Sequence, residues 1–279
     1  MNVIVKPHSG LANRIRVMVS AISLGKRIGC DVKIVWEREK GLNCNFYDLF
    51  QRHPALHIVQ RSMRTDILDK VRAKPVLVAT ISKLLGIGFI MYDVNMREYV
   101  WCAPNGVIDV SKFDQLNKDI YIKACNDFYF QGENLQYFMP SDLIQAKINA
   151  NTKHFTNNTV GIHIRRGDHQ TSIYESPTEY FKLKMRDEVA YNKQVSFYVA
   201  TDDPHVKEEL ITEFGERVYY ANAVLSRNTV EGMTDAMVDL YSLSRTCKIY
   251  GSYWSSYSDI AAKIGNIPLE IIQKNNQSI

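Results

Sequence analysis

The sequence predicts an α/β fold with two parallel β-sheets, each covered by helices on both faces. Short runs rich in β-branched and aromatic residues alternate with amphipathic stretches of helical period, as in consecutive βαβ units. The alternation is clear at the beginning of the sequence and again from residue 141 onward. A length of 279 residues leaves room for two domains with a core in each. We therefore expect one sheet within residues 1–140 and a second within residues 141–279.

The first βαβ unit lies at the start of the sequence. Asn2–Lys6 is predicted as a strand and Ala12–Ile28 as a helix, because apolar residues recur along one helical face and Gly29 follows the last turn. Val32–Trp36 is the next predicted strand. The pattern is weaker as far as residue 140, where it indicates one helix at Asp66–Arg72 and strands at Phe89–Tyr92 and Tyr121–Ala124.

Helices and strands alternate regularly in the second half of the sequence. The predicted helices are Ser141–His154, Thr178–Tyr191, Pro204–Phe214, Thr229–Arg245 and Ser256–Ile264. The predicted strands are Thr159–Arg165, Val195–Thr201, Arg217–Ala221, Cys247–Gly251 and Pro268–Ile272. Parallel sheets bind ligands at the carboxyl ends of their strands, so polar residues at those positions are the candidates for function.

Composition excludes several classes of protein. Hydrophobic residues make up 46% of the chain and charged residues 23%, the balance of a soluble globular protein. A net charge of +4 suits an anionic small ligand but is too small to indicate a nucleic-acid partner. The five cysteines form no CxxC pair, so we expect reduced thiols rather than a disulfide framework or a zinc site. They are Cys30, Cys44, Cys102, Cys125 and Cys247.

The sequence also indicates where in the cell the protein is located. It begins with a strand-like run, Val3–Val5, instead of the basic and apolar segments of a signal peptide. Its most apolar windows, Val76–Ile81 and Leu84–Met91, are interrupted by polar residues and glycines and fall short of the roughly 20 residues that span a bilayer. We expect a cytoplasmic protein with at most peripheral membrane association.

The turn after the first strand, Gly10–Arg14, is the first candidate site. It opens the first helix, where free backbone N–H groups can bind a phosphate or an acceptor oxygen. Gly10 can adopt backbone angles that other residues avoid. The alternative interpretation is an ordinary tight turn in which Asn13 is a capping residue.

Two adjacent arginines end the strand at Thr159–Arg165. His163 and Arg165 alternate along the strand and therefore point to one face, and Arg166 leads into the loop. Adjacent arginines at a strand end favour an anionic partner such as a diphosphate, because a guanidinium presents a planar fork of donors. The alternative is a surface ion pair between Arg166 and Asp168, which does not account for Arg165.

Carboxylates and serines end two further strands. Asp202 and Asp203 could accept hydrogen bonds from a guanine edge, or one of them could cap the following helix. Consecutive aspartates lack the Asp-x-Asp spacing of metal-dependent sugar transferases, so no metal is expected. Ser255 and Ser256 could donate to phosphate oxygens at a helix start, or cap that helix. Together these strand ends predict a nucleotide-binding cleft.

In combination these motifs resemble those of the GT-B fucosyltransferase superfamily, which includes alpha-1,2-, alpha-1,6- and protein O-fucosyltransferases. His163–Asp168 is similar to the family's His-x-Arg-Arg signature and Ala200–Pro204 to its second motif. The remaining motifs are matched by Gly10–Asn13, Asp239–Ser244, Trp254–Ser256 and Ala261. Residues 37–140 contain no motif of the family.

The resemblance implies a GT-B fold of two Rossmann-like domains whose parallel sheets face a cleft. Residues 1–140 would bind the acceptor and residues 141–279 the nucleotide sugar. It further implies an inverting, metal-independent transfer of L-fucose from GDP-fucose to an oligosaccharide or glycan acceptor, without a cofactor. A GT-B transferase that uses another nucleotide sugar, or a non-catalytic carbohydrate- or nucleotide-binding protein of the same fold, are the alternatives.

The resemblance also implies roles for single residues. On the donor side, Arg165 would contact the diphosphate with support from Arg166, His163 and Asp203 would meet the guanine beside Asp202, and Ser255 and Ser256 would bind phosphate. Gly10 and Asn13 would face the sugar or acceptor. Glu175 is the first candidate for a general base and Asp168 the second, since both follow the arginine motif. His169 lies in the same stretch.

Overall fold

Two five-stranded parallel sheets organise the chain, which confirms the predicted α/β fold. The computed structural model describes residues 1–92, 108–113, 116–167, 169–224 and 226–274. Unit 1 comprises Met1–Ser141 and Arg227–Val230, and unit 2 comprises Asp142–Ser226 and Glu231–Ile279. The short segment Arg227–Val230 contacts the rest of unit 1 through Asn43, whose backbone N–H donates to the carbonyl of Arg227 at 3.1 Å. The binding roles assigned to the two halves remain predictions.

Unit 1 is built on strands in the order β3-β2-β1-β5-β4. Its strands are β1 (Asn2–Pro7), β2 (Asp31–Val35), β3 (His57–Val59), β4 (Ile87–Tyr92) and β5 (Asp119–Ala124). Its helices are α1 (Leu11–Ile28), α2 (Phe46–Leu49), α3 (Met63–Val71) and α4 (Pro75–Leu84). Two short 3-10 helices occupy Val110–Phe113 and Gly132–Tyr137.

Helix α1 packs tightly on the sheet of unit 1. Its side chains are buried on almost every turn, which is why its apolar pattern is broader than a single stripe. A Cβ at Gly25 would lie 2.3 Å from Cγ2 of Val32 on β2, so only glycine permits this close approach. The helix ends as predicted at Gly29, which adopts a left-handed φ of 68° and donates its N–H to the carbonyl of Gly25.

Unit 2 has the strand order β10-β9-β6-β7-β8. Its strands are β6 (Thr159–Ile164), β7 (Ser196–Thr201), β8 (Val218–Tyr219), β9 (Ile249–Ser252) and β10 (Leu269–Ile272). Its helices are α5 (Asp142–Thr152), α6 (Gln170–Glu175), α7 (Thr178–Tyr191), α8 (Pro204–Phe214), α9 (Val230–Leu243) and α10 (Ser256–Gly265). Every residue of β6 and β7 is buried.

The connections of unit 2 determine where the strand order of its sheet reverses. From β6 the chain proceeds through α7 to β7 and then through α8 to β8 on one side. Strands β9 and β10 lie on the other side of β6. The carboxyl ends of β6 and β9 therefore form a topological switch point, the position at which open parallel sheets bind ligands. The predicted arginine and serine motifs follow these two strands.

The structure differs from the sequence-based element predictions in the short and the exposed elements. Helix α4 lies outside every predicted element, because its run of Val, Thr and Ile favours a strand as much as a helix. The predicted strand Arg217–Ala221 is reduced to Val218–Tyr219. Cys30, Cys44, Cys125 and Cys247 are thiols that form no disulfide within the described residues, and Cys102 lies outside them. None of the described helices combines the length and apolarity needed to cross a bilayer.

Candidate functional site

A serine joins the carboxyl ends of β6 and β9. The backbone N–H of Arg165, the first residue after β6, donates to Oγ of Ser252 at 3.0 Å. The Ser252 hydroxyl in turn donates to the carbonyl of His163 at 3.3 Å. These contacts fix the backbone on which Arg165 projects, at the switch point of the sheet. Ser252 lies in the serine-rich stretch that the sequence offered as a phosphate site, but the sequence gave it no role of its own, because its only individual signal is a small polar residue at the end of an apolar strand.

Asp202 holds the arginine turn in shape. One of its carboxylate oxygens accepts the backbone N–H of Arg166 at 2.6 Å, and the other accepts that of Gly167 at 3.0 Å. A Cβ at Gly167 would lie 2.8 Å from Oδ2 of Asp202, so a larger residue there would displace the carboxylate that holds the turn. The geometry makes Asp202 a positioning residue for the turn after β6. Its predicted contact with the donor stays a prediction.

Asp203 is the residue of the pair that caps a helix. It is the N-cap of α8, and its Oδ1 accepts the backbone N–H of His205 at 2.9 Å. Its own N–H donates to Oγ1 of Thr201 at 3.3 Å. One of the two aspartates thus has the structural role that the sequence offered as the alternative, and its guanine contact remains a prediction.

The Arg166 guanidinium is directed into the protein. It donates to the carbonyl of Arg165, to that of Ser176 and to Oγ1 of Thr178, each at 2.8 Å. Burial lowers the pKa of this guanidinium, and the charges of Asp202 and Asp203 act in the opposite direction. Arg166 therefore ties the turn after β6 to the start of α7. Asp168, its alternative partner, lies outside the described residues.

His163 is a neutral, buried imidazole near the end of β6. Its ring stacks on Tyr257 of α10 with centroids 4.9 Å apart and planes at 29°. Burial lowers the pKa of His163 to about 4, so the ring is uncharged at neutral pH. Its Nδ1 has no hydrogen-bond partner among the residues the structure describes. A neutral imidazole with a free nitrogen can bind one edge of a nucleobase.

The N-terminus of α10 presents a buried serine hydroxyl. Ser255 is the N-cap residue and is 5% exposed, yet its Oγ has no hydrogen-bond partner in the described part of the chain. A buried hydroxyl without a partner costs free energy, and rotation about one torsion can turn it to a ligand. Ser256, half-buried, follows as the first residue of the helix. Helix N-termini can bind anions, and the phosphate contacts of both serines remain a prediction.

Trp254 precedes this N-cap in an unusual conformation. Its φ of 57° lies in the left-handed region, which a bulky residue rarely adopts, and its side chain is 72% exposed. Its ring meets that of His169 edge-on at 6.0 Å. The sequence placed Trp254 in a motif without giving it a role, and the structure shows an exposed aromatic surface beside the serines.

Helix α6 is tied to the loop after β9. The Ser172 hydroxyl donates to the carbonyl of Tyr253 at 2.7 Å, and Ser176 Oγ accepts the Tyr253 N–H at 2.7 Å. His169 caps α6, its Nδ1 accepting the backbone N–H of Ser172 at 3.1 Å. Glu175, the first candidate base, is the last residue of α6 and half-buried. Its carboxylate accepts no hydrogen bond from any described residue, and its role is untested.

The first turn of unit 1 differs in detail from its prediction. The left-handed residue is Ser9, with φ of 72°, whereas Gly10 is extended with φ of −70°. The predicted reason for glycine at position 10 is therefore wrong. Asn13 does not cap the helix, because Gly10 is the N-cap and Asn13 Nδ2 donates back to Oγ of Ser9 at 3.1 Å. Its Oδ1 is buried and has no partner among the described residues.

A fully buried arginine supports this turn. Arg14 donates from Nε to the Ser9 carbonyl at 3.0 Å and from Nη1 to the Glu37 carbonyl at 2.6 Å. Its guanidinium lies over the Trp36 ring, 4.8 Å from the centroid, and pairs with Glu39 at 3.3 Å. The sequence gave Arg14 no role, and the structure makes it the anchor between the β1–α1 turn and the segment after β2.

Ion pairs also cluster near the carboxyl end of the unit 1 sheet. Lys6 on β1 is buried and pairs with Glu37 at 2.8 Å and with Asp69 of α3 at 2.9 Å. Burial alone would lower the pKa of Lys6, but these carboxylates outweigh it and raise the pKa. Lys123 and the Tyr121 hydroxyl also contact Asp69, each at 2.9 Å. The network holds α3 on the sheet, and its only sequence signal is lysine within apolar strands.

The described residues contain no group of three His, Cys, Asp or Glu side chains arranged to hold a metal ion. Neither this finding nor the sequence tests how the reaction proceeds, so metal independence stays a prediction.

Comparison with known proteins identifies the class of fold. No protein-family model matches the sequence, and no curated protein matches it significantly. The solved structures that match over nearly the whole chain include fucosyltransferases. The predicted GT-B fucosyltransferase-like fold is thereby confirmed.

Three of these structures illustrate the match. NodZ, an alpha-1,6-fucosyltransferase soaked with GDP-fucose, has a TM-score of 0.66 and 15% identity, with 100% of this chain and 97% of NodZ covered. A mutant of Arabidopsis thaliana FUT1 in complex with GDP gives 0.67 and 14%, covering 99% and 71%. POFUT1 in complex with GDP gives 0.57 and 13%, covering 97% and 98%. Identities this low establish the shared fold alone.

Proposed function

We propose that this protein is a glycosyltransferase that moves L-fucose from GDP-fucose to a hydroxyl of an oligosaccharide or glycan, with inversion and without a metal. The proposal is supported by the fold, which is that of three fucosyltransferases whose structures hold GDP or GDP-fucose. It includes a cytoplasmic location and the absence of a nucleic-acid partner. The residues of unit 2 supply the second line of support.

The observation that carries the proposal is the position of Arg165. It follows β6 at the switch point and is held there by Ser252 from β9. Helix α10 begins a few residues after Ser252, with the buried hydroxyl of Ser255 at its N-cap. A guanidinium and a helix N-terminus on neighbouring strand ends are suited to the two phosphates of a nucleoside diphosphate.

The guanine would be bound by groups that flank this position. A neutral His163 can accept or donate through its free nitrogen without repelling a base. Asp203 uses Oδ1 to cap α8, which leaves its second oxygen for an N–H of guanine. A carboxylate distinguishes guanine from uracil because only guanine offers adjacent N–H donors on that edge.

The reaction would be a single displacement at the anomeric carbon. The acceptor oxygen attacks that carbon, the bond to the β-phosphate oxygen breaks, and its electron pair leaves with GDP. Arg165 would stabilise the negative charge that develops on the diphosphate, so that it binds the transition state more tightly than the donor. The acceptor proton would pass to Glu175 or Asp168, and an oxocarbenium-like transition state lowers the demand on that base.

Acceptor binding is assigned to the turn that contains Gly10 and Asn13. The support is the buried Asn13 Oδ1, which has no partner among the described residues, and the rigid setting that Arg14 gives the turn. An amide oxygen of this kind can accept a hydrogen bond from a sugar hydroxyl.

The proposal is tested by incubating the protein with GDP-fucose and a glycan acceptor library in EDTA. We expect a product heavier by one deoxyhexose, detected by mass spectrometry, with the α configuration by NMR. Parallel reactions with UDP- and dTDP-sugars test the use of another donor. Product from these donors but not from GDP-fucose would overturn the donor assignment, and GDP binding without any transfer would favour a binding protein.

A further inference from the structure

Helices α3 and α4 form an outward surface in unit 1 that the proposed reaction does not use. Helix α4 contains no buried residue, although its sequence is among the most apolar in the chain. Its inner side, through half-buried Val78 and Ile81, packs against the core cluster that contains Leu68 and Tyr121. The opposite side therefore faces away from the core.

Large apolar side chains occupy this outer side. Met63 on α3 and Val76 and Leu84 on α4 are 76%, 79% and 81% exposed, and Ile67 and Leu77 are also exposed. Met63 and Ile67 are four residues apart, and Val76 and Leu84 eight apart, so each pair lies on one face of its helix. An apolar stripe left open on two adjacent helices is a mark of an interaction surface.

Basic residues lie near the apolar stripe of α3 and α4. Lys70, Arg72, Lys74 and Lys83 are all exposed, at the α3–α4 junction and at the end of α4. The acidic residues between positions 63 and 85 are Asp66 and Asp69.

Both aspartates are turned inward. Asp66 pairs with Lys6 at 3.4 Å and with Arg61 at 2.5 Å, and Asp69 pairs with Lys6 and Lys123 at 2.9 Å. Their side chains are almost covered, so the outer side of α3 and α4 presents apolar and positive groups together.

We propose that the outer side of α3 and α4 docks on an anionic lipid bilayer. Exposed Val76, Leu84 and Met63 would enter the interface between headgroups and acyl chains, and the lysines would meet lipid phosphates. The positive charge of this surface argues against a second copy of the chain as its binding partner. A two-fold interface would bring this basic surface onto itself, where like charges repel. The proposal is independent of which sugar the protein transfers.

Vesicle co-sedimentation of the full chain tests the proposal. We expect binding to phosphatidylcholine vesicles that contain about 30% phosphatidylglycerol, weak binding to phosphatidylcholine alone, and release by salt. The apolar variant V76S/L84S is expected to lose binding. The charge variant K74Q/K83Q is expected to bind roughly thirtyfold more weakly, because each lysine near an anionic surface raises the affinity about fivefold.

Matched controls lie in unit 2. Leu143 on α5 is 70% exposed, and Lys153 and Lys193 are exposed, so L143S removes one exposed apolar side chain elsewhere and K153Q/K193Q removes two exposed charges elsewhere. We expect both to bind like the wild type and all four variants to unfold within about 2 °C of it. No binding of the wild type to anionic vesicles, equal losses in the controls, or a dimer in sedimentation velocity that V76S/L84S dissociates would overturn the proposal. GDP affinity measured on the same samples separates this result from any failure of the transferase proposal.

Discussion

Arg165 and Arg166 are neighbours in the turn after β6, and the contacts of Arg166 give its side chain a structural role there. The Arg166 side chain makes three hydrogen bonds at 2.8 Å to protein acceptors. Arg165 is half-buried at the end of β6, and its backbone rather than its side chain makes the contact with Ser252. The resemblance implied that Arg166 supports the site, which agrees with these contacts, and the diphosphate contact of Arg165 remains a prediction.

Substitution of the two arginines is expected to give opposite patterns. R165A should reduce transfer on the order of a thousandfold, because it removes the donor to the departing diphosphate, while the protein still folds. R166A should lower the free energy of unfolding by about 2–4 kcal/mol, because buried acceptors lose their partner. Thermal melts and single-turnover rates distinguish the two. Wild-type turnover by R165A would refute the site assignment.

Ser252 and Ser255 provide a second matched pair. S252A removes a partner from the Arg165 N–H and the His163 carbonyl, and we expect a loss of about 1–3 kcal/mol in the free energy of unfolding. S255A removes a hydroxyl that has no partner among the described residues, so stability should change by less than about 0.5 kcal/mol. Its GDP affinity should fall roughly tenfold or more. Unchanged GDP affinity in S255A, measured by calorimetry, would remove this serine from the site.

For single residues, the sequence predicts which side chains lie at the strand ends but not what those side chains contact. Asp202 looks like a ligand in the sequence, yet both of its oxygens accept backbone N–H groups of the arginine turn. That use depends on the path of residues 165–167, which no local pattern specifies. The left-handed residue before α1 is Ser9 and not the expected glycine, since tertiary contacts of Arg14 hold the turn.

At the scale of elements, α9 and α5 meet β7 through a buried polar network. The Tyr198 hydroxyl donates to Asp239 of α9, and Asn151 of α5 donates to Tyr198 and to Ser242, each at 2.8 Å. Burial raises the pKa of Asp239 to about 7, against the opposing effect of the Tyr198 hydrogen bond. The folded protein therefore holds a proton on Asp239 at a pH where the unfolded chain has lost it.

This network should make stability fall as pH rises. Asp239 has a higher pKa folded than unfolded, so its contribution is full below about pH 4 and is lost as pH rises through about 7. D239N keeps the acceptor for Tyr198 but has no proton to lose. The stability of D239N relative to wild type should therefore increase between pH 4 and 8, by at most about 4 kcal/mol. Urea titrations at three pH values measure it, and a pH-independent difference would contradict the account.

The elements that periodicity predicts best are long and packed on one side. Thr178–Tyr191 and Pro204–Phe214 have the predicted bounds, because each has a capped or proline-marked start and an apolar face against the sheet. Helix α4 was not predicted, because its apolar residues lie on more than one face of the helix. Val78 and Ile81 pack on the core, whereas Val76, Leu77 and Leu84 are exposed, so no single amphipathic stripe appears in the sequence.

At the scale of the whole molecule, the sequence predicts two sheets but not the order of their strands. The order of parallel strands depends on where each crossover helix packs, which the element pattern leaves open. The order β10-β9-β6-β7-β8 brings β6 beside β9 and so collects two motifs that are nearly 90 residues apart. Residues 37–140 contain no recognised motif, and they supply strands β3, β4 and β5 of the five-stranded sheet of unit 1.

A calorimetric titration with GDP and then UDP, in EDTA, tests the central claim most directly. We expect micromolar GDP binding, much weaker UDP binding, no requirement for a divalent metal and loss of the GDP signal in R165A. Preference for UDP would contradict the guanine assignment of His163 and Asp203. Absence of binding by either nucleotide would contradict the nucleotide site at the carboxyl ends of β6 and β9.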